Sequence, residues 1–316
     1  MKLSGIDEKT TFIRETIPII KVPPILDIGQ DFTKRELQII QKFYYQLQNH
    51  IETKNLNNFY RNIKTLKIEE NNSIYLHSDS GEIKVNGIYY PSINEIRISK
   101  LYSKKPYILS HELFHMSSSI SDLKNDYDFS GFCQSSEENQ IGSGLDEGYT
   151  ELLNARFFNL PSQLTAYRYE LVVASLIEEI VGKKEMQTLY FNSDLFNLVK
   201  TLEFYSKPRE IKLFLINIDY LLDYGHNNIP FSNNKEYLTI AFDEVNKFLI
   251  NSYINKLKIS LQNNTIMPIE ASIKLSFFIK KINKLKENKI GIDKKYIDDN
   301  LKEYIKDKVK VLKIKI

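Results

Sequence analysis

Cysteine is nearly absent from this 316-residue chain. Cys133 stands alone, which excludes an intrachain disulfide. Long apolar runs are missing too. Residues 17–28 are apolar but broken by Pro18, Lys21, Pro23, Pro24 and Asp27, and no stretch approaches the length that spans a bilayer. The first residues, Met1 to Glu8, reach their acids before any apolar signal core forms, so a cytoplasmic protein is expected and secretion would need a non-standard route. Charge of one sign is also lacking. Forty-three Lys and Arg stand against 40 Asp and Glu, a net +3 that is too small to imply nucleic-acid binding. The lysines are interspersed with acids, as on a solvated surface. There is no internal repeat and no low-complexity tract. Histidine is scarce, with five in all: His50, His77, His111, His115 and His226.

Hydrophobic residues make up 42% of the chain and charged residues 26%, ordinary values for a globular protein. The length allows one or two domains and a large core. Two of the five histidines fall in one pattern, His111-Glu112-Leu113-Phe114-His115, which reads H-E-x-x-H. Histidines at i and i+4 of a helix project from one face and can hold one zinc ion, and the glutamate beside the first can act as general base on a water. Pro106 suits a first helical turn, and Tyr107, Ile108, Leu109, Leu113, Phe114 and Met116 give the segment apolar faces, so a buried helix is expected. The bland alternative is a buried helix with two hydrogen-bonded histidines and a solvated glutamate.

A catalytic zinc takes three protein ligands. Downstream, Gly144-Leu145-Asp146-Glu147-Gly148-Tyr149-Thr150-Glu151 leads into Leu152, Leu153 and Phe157, and a helix is expected from Glu147 onward. Glu147 and Glu151 share a face, so one carboxylate can bind the metal while the other accepts the free ring N–H of a zinc-bound histidine. Asp146 is a further candidate for the third ligand. A charged first turn stabilising its own helix dipole would read the same way.

H-E-x-x-H followed by a helix carrying E-x-x-x-E resembles the gluzincins, the thermolysin-like zinc metallopeptidases. The second stretch is similar to the L-[ND]-E-G-x-T-E signature of small gluzincin-like proteins of Gram-positive bacteria. The resemblance covers roughly residues 80–160. It implies Zn2+ as cofactor, His111, His115 and Glu147 as ligands, Glu151 as partner of the first histidine, Glu112 as general base, and a peptide or protein as substrate. Metzincins continue with glycine and a third histidine where this chain has Ser118 and Ser121. The aspzincin D-x-x-Y setting is matched in part by Asp146 and Tyr149, but the preceding Ser143-Gly144 is not that family's G-T pair. The rival functions are a zincin-fold binding protein without turnover and a zinc hydrolase of a non-peptide bond.

Around these motifs, Asn86-Gly87 reads as a turn between apolar-alternating segments. Ile93, Asn94, Glu95, Ile96, Arg97, Ile98 and Ser99 read as a strand, and the resemblance implies an edge strand that pairs with extended substrate. An ordinary edge strand facing water fits equally. The segment between His115 and Glu147 is rich in Ser, Asn, Asp and Gly, with a hairpin expected around residues 129–141. A tyrosine or histidine donor for an oxyanion has no clear position. His226 in a turn-like segment is one candidate, and Tyr149 points away from the zinc face.

The expected architecture is α+β: a zincin-like core over residues 63–160, with a small twisted mixed sheet and the two motif helices. An N-terminal segment over 1–62 precedes it and a mainly helical region over 161–316 follows. Residues 1–32 read as extended. Residues 33–62 read as helical, with Leu37, Ile40, Phe43, Tyr44, Leu47 and Ile51 on one stripe. A helix is expected from Pro161 with Leu164, Tyr167, Leu171, Ala174 and Ile177 along it, then others near 194–204, 208–223, 235–261 and 267–287. Residues 308–316 alternate charge with apolar side chains, as in a terminal strand or a tail.

Overall fold

A computed structural model describes residues 32–78, 81–122, 127–136, 139–225, 235–289 and 291–312. The expectation for residues 1–32 falls, but for Phe32, outside them, as do His226 and residues 313–316. The chain is mixed α/β and mostly helical, with small sheets. Helix α1 (Lys34–His50) opens with a capping box: Thr33 accepts from the Glu36 N–H, and the Glu36 carboxylate accepts from the Thr33 N–H at 2.7 Å. Its stripe of Ile40, Phe43 and Leu47 is buried. A short α2 (Asn57–Asn62) follows.

The strands come next: β1 (Lys67–Asn71), β2 (Ile74–Ser78), β3 (Gly81–Val85), β4 (Gly87–Tyr90) and β5 (Glu95–Ser99). The first sheet has the order β1-β5-β4, with β1 parallel and β4 antiparallel to β5. Strands β2 and β3 form a separate antiparallel pair. Asn86-Gly87 is therefore a step from one sheet into another, and β3 and β4 do not form a hairpin across it.

Helix α3 (Pro106–Ser117) carries H-E-x-x-H and is buried from Ile108 to Ser117. Phe114 on it meets Phe43 of α1 edge to face, with ring centroids 4.7 Å apart. The serines after it close the helix: the Ser117 hydroxyl donates to the Phe114 carbonyl at 2.8 Å, and the Ser119 hydroxyl to that of His115 at 2.6 Å. Asn62 donates to the carbonyls of Met116 and Ser119, both at 2.8 Å, and pins the exit of α3 to α2. The chain then forms a four-stranded antiparallel sheet in the order β6 (Ser119–Asp122), β7 (Tyr127–Ser130), β8 (Cys133–Ser136) and β9 (Gln140–Ile141). The hairpin expected around 129–141 is its second half.

The remaining elements are helical: α4 (Ser143–Phe158), α5 (Arg168–Val181), α6 (Lys183–Phe191), α7 (Leu195–Leu202), α8 (Pro208–Gly225), α9 (Lys235–Gln262), α10 (Pro268–Leu285) and α11 (Lys294–Leu312). Two expectations need correction here. Pro161 does not begin a helix. It precedes a 3-10 turn over Ser162–Leu164, and α5 starts at Arg168 after the extended Thr165. Residues 308–312 belong to α11 rather than to a strand. Its apolar Ile297 and Leu301 recur at i and i+4 and are buried, so helical rather than alternating periodicity governs the segment.

One apolar core runs from Ile40 to Leu301, so the N-terminal, central and C-terminal segments share a single interior. Helix α4 lies in the middle, packed on α3, α5 and α8. Gly148 makes the closest of these approaches possible. A Cβ there would stand 2.3 Å from the Glu170 carbonyl oxygen of α5. Gly148→Ala should thus destabilise the fold by about 1–3 kcal/mol, although alanine is the better helix former. Urea unfolding measures this, and an unchanged or raised midpoint would show that α4 and α5 do not need this contact. None of the described helices is long and apolar enough to cross a membrane.

Candidate metal centre

Helices α3 and α4 each contribute an i, i+4 pair to one small volume. His111 and His115 face Glu147 and Glu151 because both pairs follow helical spacing and the two helices pack against each other. The two imidazole Nε2 atoms are 3.2 Å apart, and Glu147 Oε2 lies 3.1 Å from that of His111 and 3.5 Å from that of His115. Ligand atoms about 2.0–2.2 Å from a tetrahedral zinc stand about 3.3–3.6 Å from one another. The donor set of two imidazoles and one carboxylate thus fits a zinc ion in both chemistry and spacing. Among the described residues, His111, His115 and Glu147 are the group of three that could hold a metal.

The other ring nitrogens are also engaged. Glu151 Oε2 lies 2.7 Å from His111 Nδ1, while its Oε1 accepts the Ala166 N–H at 3.1 Å. Asp146 Oδ2 lies 3.2 Å from His115 Nδ1, and Oδ1 accepts the Phe132 N–H at 2.9 Å. Each carboxylate favours a proton on Nδ1, so Nε2 is the nitrogen that would bind a metal once its own proton leaves. Asp146 therefore stands behind His115 rather than at the point where the ligand atoms converge. The earlier helix start explains its position: α4 begins at Ser143, not at Glu147. The backbone N–H groups of Gly142 and Gly144 are capped by Asp219 of α8, at 2.7 and 2.8 Å.

Glu112 is buried, 6% exposed, and sits beneath β4. A Cβ on Gly87 would lie 2.8 Å from Glu112 Oε1 and 2.9 Å from Ile108, so the strand backbone roofs this carboxylate. Burial holds its pKa above the ordinary value of 4.5, against the pull of the two histidines.

A cavity of about 210 Å³ opens over the group. One wall is β4 and its flanks, with Val85, Gly87, Ile88, Tyr89 and Pro91, and the other is β7 to β9. Tyr167, just before α5, completes the lining, its ring 5.7 Å from that of His111. Tyr167 carried only an apolar position in the sequence reading. The chain folds it back onto His111 through the 3-10 turn, a long-range path with no local signal. Tyr149 is buried elsewhere and donates to Glu178 at 2.9 Å. Cys133 also lines the cavity, but burial pushes its thiol up to about 12, so it stays protonated.

The expected substrate strand is redrawn. Ile93 lies in a 3-10 turn and Asn94 is left-handed at φ 50, so neither is extended. Asn94 instead bonds the Asn62 carbonyl and the Tyr89 hydroxyl. Glu95, Ile96, Arg97, Ile98 and Ser99 form β5, which is the central strand. Its backbone groups are taken by β1 on one side and β4 on the other, leaving none for a substrate. The edge that borders the cavity is β4.

The acids also set the protonation of the two histidines. Burial alone would lower the pKa of His111, but Glu147 and Glu151 outweigh it and bring it to about 10 from an ordinary 6.5. His115 is raised well above 6.5 in the same way, burial again opposing, by Glu147 and Asp146. Glu147 is held below its ordinary range by His115 and His111 in spite of burial. A His111 pKa raised on folding adds stability that is complete below 6.5 and is lost as pH rises through about 10. Zinc competes with these protons, so its affinity should climb as pH rises toward that value, and binding at pH 7.5 should release about two protons per ion. Calorimetry in buffers of different protonation enthalpy reads this number, and zero release would mean the imidazoles are already neutral.

No family model, no curated protein and no solved structure matches this chain, so its reading rests on the geometry of this group and the cleft above it.

Proposed function

We propose that the protein is a zinc-dependent metallopeptidase with a gluzincin-like site in a zincin-like core. The observation that carries this reading is the paired arrangement of the two helices. Three donor atoms converge within 3.1–3.5 Å of one another, and a carboxylate holds the rear nitrogen of each histidine. A structural zinc site takes four ligands, commonly Cys and His, whereas three ligands beside an open cavity suit a catalytic one.

A zinc ion held by His111, His115 and Glu147 would supply Lewis acidity, which lowers the pKa of a water from about 15.7 to about 7 and polarises a carbonyl. The Glu112 carboxylate takes the proton of the attacking water and returns it to the leaving amine. A carboxylate whose pKa is raised by burial holds that proton long enough to deliver it. The β4 edge offers main-chain groups to an extended peptide, which adds a strand to the sheet. Tyr167 supplies an O–H at the cavity wall. Its phenol is kept protonated by the Glu147 charge and by burial, so it can donate to a developing oxyanion.

Digestion of a peptide library, with and without chelator, tests the proposal together with metal analysis of the purified protein. Zinc near one per chain and chelator-sensitive cleavage support it. Absence of zinc removes every zinc reading, and bound zinc without cleavage of any peptide leaves a binding protein or a hydrolase of another bond. Tyr167→Phe should keep zinc and lower kcat by about 10²-fold with little change in KM. An unchanged kcat would remove Tyr167 from the reaction.

A further inference from the structure

Helix α10 is apolar on two sides. Ala271, Leu275, Phe278, Ile282 and Leu285 are buried and pack it on α5 and α9. On the opposite side Ile269, Ile273 and Phe277 follow one another four residues apart, so they form a single ridge. They are 70%, 51% and 63% exposed, and Met267 at the N-cap is 67% exposed. No other described helix holds three large apolar side chains in line that are each at least half exposed. Single exposed apolar residues are ordinary on a protein surface, whereas an aligned series marks a face that meets something other than water.

The ridge changes character along its length. Beyond Phe277 the same line continues as Lys280 and Lys284, both exposed, over about 10 Å of helix. Neither lysine forms an ion pair among the described residues. The acids nearby are already taken: Glu270 by Lys274 at 2.7 Å, Glu179 of α5 by Lys281, and Glu287 by Lys294 at 3.4 Å. The helix holds four lysines against one glutamate, in a chain whose charges otherwise nearly balance. One end of the ridge is therefore apolar and the other is cationic.

We infer that this ridge docks the protein on an anionic lipid surface, with Met267, Ile269, Ile273 and Phe277 entering the interface and Lys280 and Lys284 meeting the head groups. The inference does not depend on the metal centre. The lysines select lipid over a protein groove, because they stand on the crest of the ridge and not beside it. A groove deep enough to cover Phe277 would also enclose Lys280, and burying an ammonium group is costly. At a lipid surface the lysine stem lies along the apolar layer while its charge stays among the head groups. A second copy of the chain lacks the matching charge. Antiparallel pairing of the ridge about Ile273 sets Lys280 and Lys284 against residues 262–266 of the other copy, which hold no acid. The helix lies in the interface and does not span it.

The test mixes full-length protein with vesicles of phosphatidylcholine, alone or with about 30% phosphatidylglycerol, and reads the bound fraction by co-sedimentation. The anionic vesicles should bind about tenfold or more tightly than the neutral ones, and about 0.5 M salt should remove the difference. Ile273→Ser with Phe277→Ser, and Lys280→Glu with Lys284→Glu, should each weaken binding by about tenfold or more. The melting temperature should stay unchanged in both, since all four side chains are exposed. The chain has no tryptophan, so Phe277→Trp places a lone reporter on the ridge. Its emission should shift to the blue with anionic vesicles, while that of Tyr45→Trp, exposed on α1, should not. No binding, equal shifts at the two positions, or binding that survives the Ile273 and Phe277 changes overturns the inference, the last because charge attraction alone would then account for it. A dimer in solution that the Phe277 change dissociates overturns it too and assigns the ridge to a second copy.

Discussion

Glu112→Gln should lower kcat by about 10²–10⁴-fold while zinc stays at one per chain. The two effects separate because of where the carboxylate sits. Glu112 is next to His111 in sequence but is not among the atoms that converge on the metal position, which are His111 Nε2, His115 Nε2 and Glu147 Oε2. Its side chain lies instead under the β4 backbone at Gly87. Glutamine has the same shape and fills that space, so the wall of the cleft is kept. It also removes a carboxylate whose charged form is disfavoured by burial, so the melting temperature should hold or rise slightly. Peptide hydrolysis, metal analysis and a melting curve on one preparation check all three statements. Full activity in the variant would end the assignment of Glu112 as general base, and loss of zinc would make it part of the metal-binding group.

The second large effect is on metal affinity, and it ranks the acids of α4. Glu147→Ala should abolish zinc retention, since it removes one of the three side chains that could hold the ion. Asp146→Asn and Glu151→Gln should each weaken zinc by about 10–100-fold, since they disturb the histidine tautomers and not the ligand set. Competition with a chromophoric chelator gives the order directly. If Asp146→Asn were to cost more than Glu147→Ala, then Asp146 would be the ligand and the roles of the two neighbours would be exchanged. The ranking is informative because Asp146 and Glu147 are adjacent in sequence yet sit on different sides of His115. Glu147 approaches Nε2 at 3.5 Å and Asp146 approaches Nδ1 at 3.2 Å.

Much of the group could be read from the chain because helical spacing is local. His111 with His115 and Glu147 with Glu151 are each four apart, and their sharing a face requires nothing beyond a helix at each place. The C-terminal helices are legible for the same reason. Expectations near 208–223, 235–261 and 267–287 fall on Pro208–Gly225, Lys235–Gln262 and Pro268–Leu285. Elements whose definition depends on a distant partner were not legible. Residues 93–99 read as a strand, and 95–99 form one, but whether that strand is an edge depends on β1 and β4 lying on either side of it. The start of α4 depends on Asp219, which reaches Gly142 from 77 residues away. Tyr167 comes to lie beside His111 when the loop before α5 folds back over the cavity.

By itself, then, the sequence determined which side chains share a helix face and therefore that two histidines and two glutamates come as two ready pairs. The tertiary structure decided that these pairs face each other, that Asp146 turns to the back of His115, that β4 rather than β5 borders the cleft, and that a polar sheet closes its other side. The division follows from range. Periodicity along a helix is set by backbone geometry within one turn, whereas strand order, helix caps supplied in trans and the walls of a cavity are set by contacts between residues far apart in the chain.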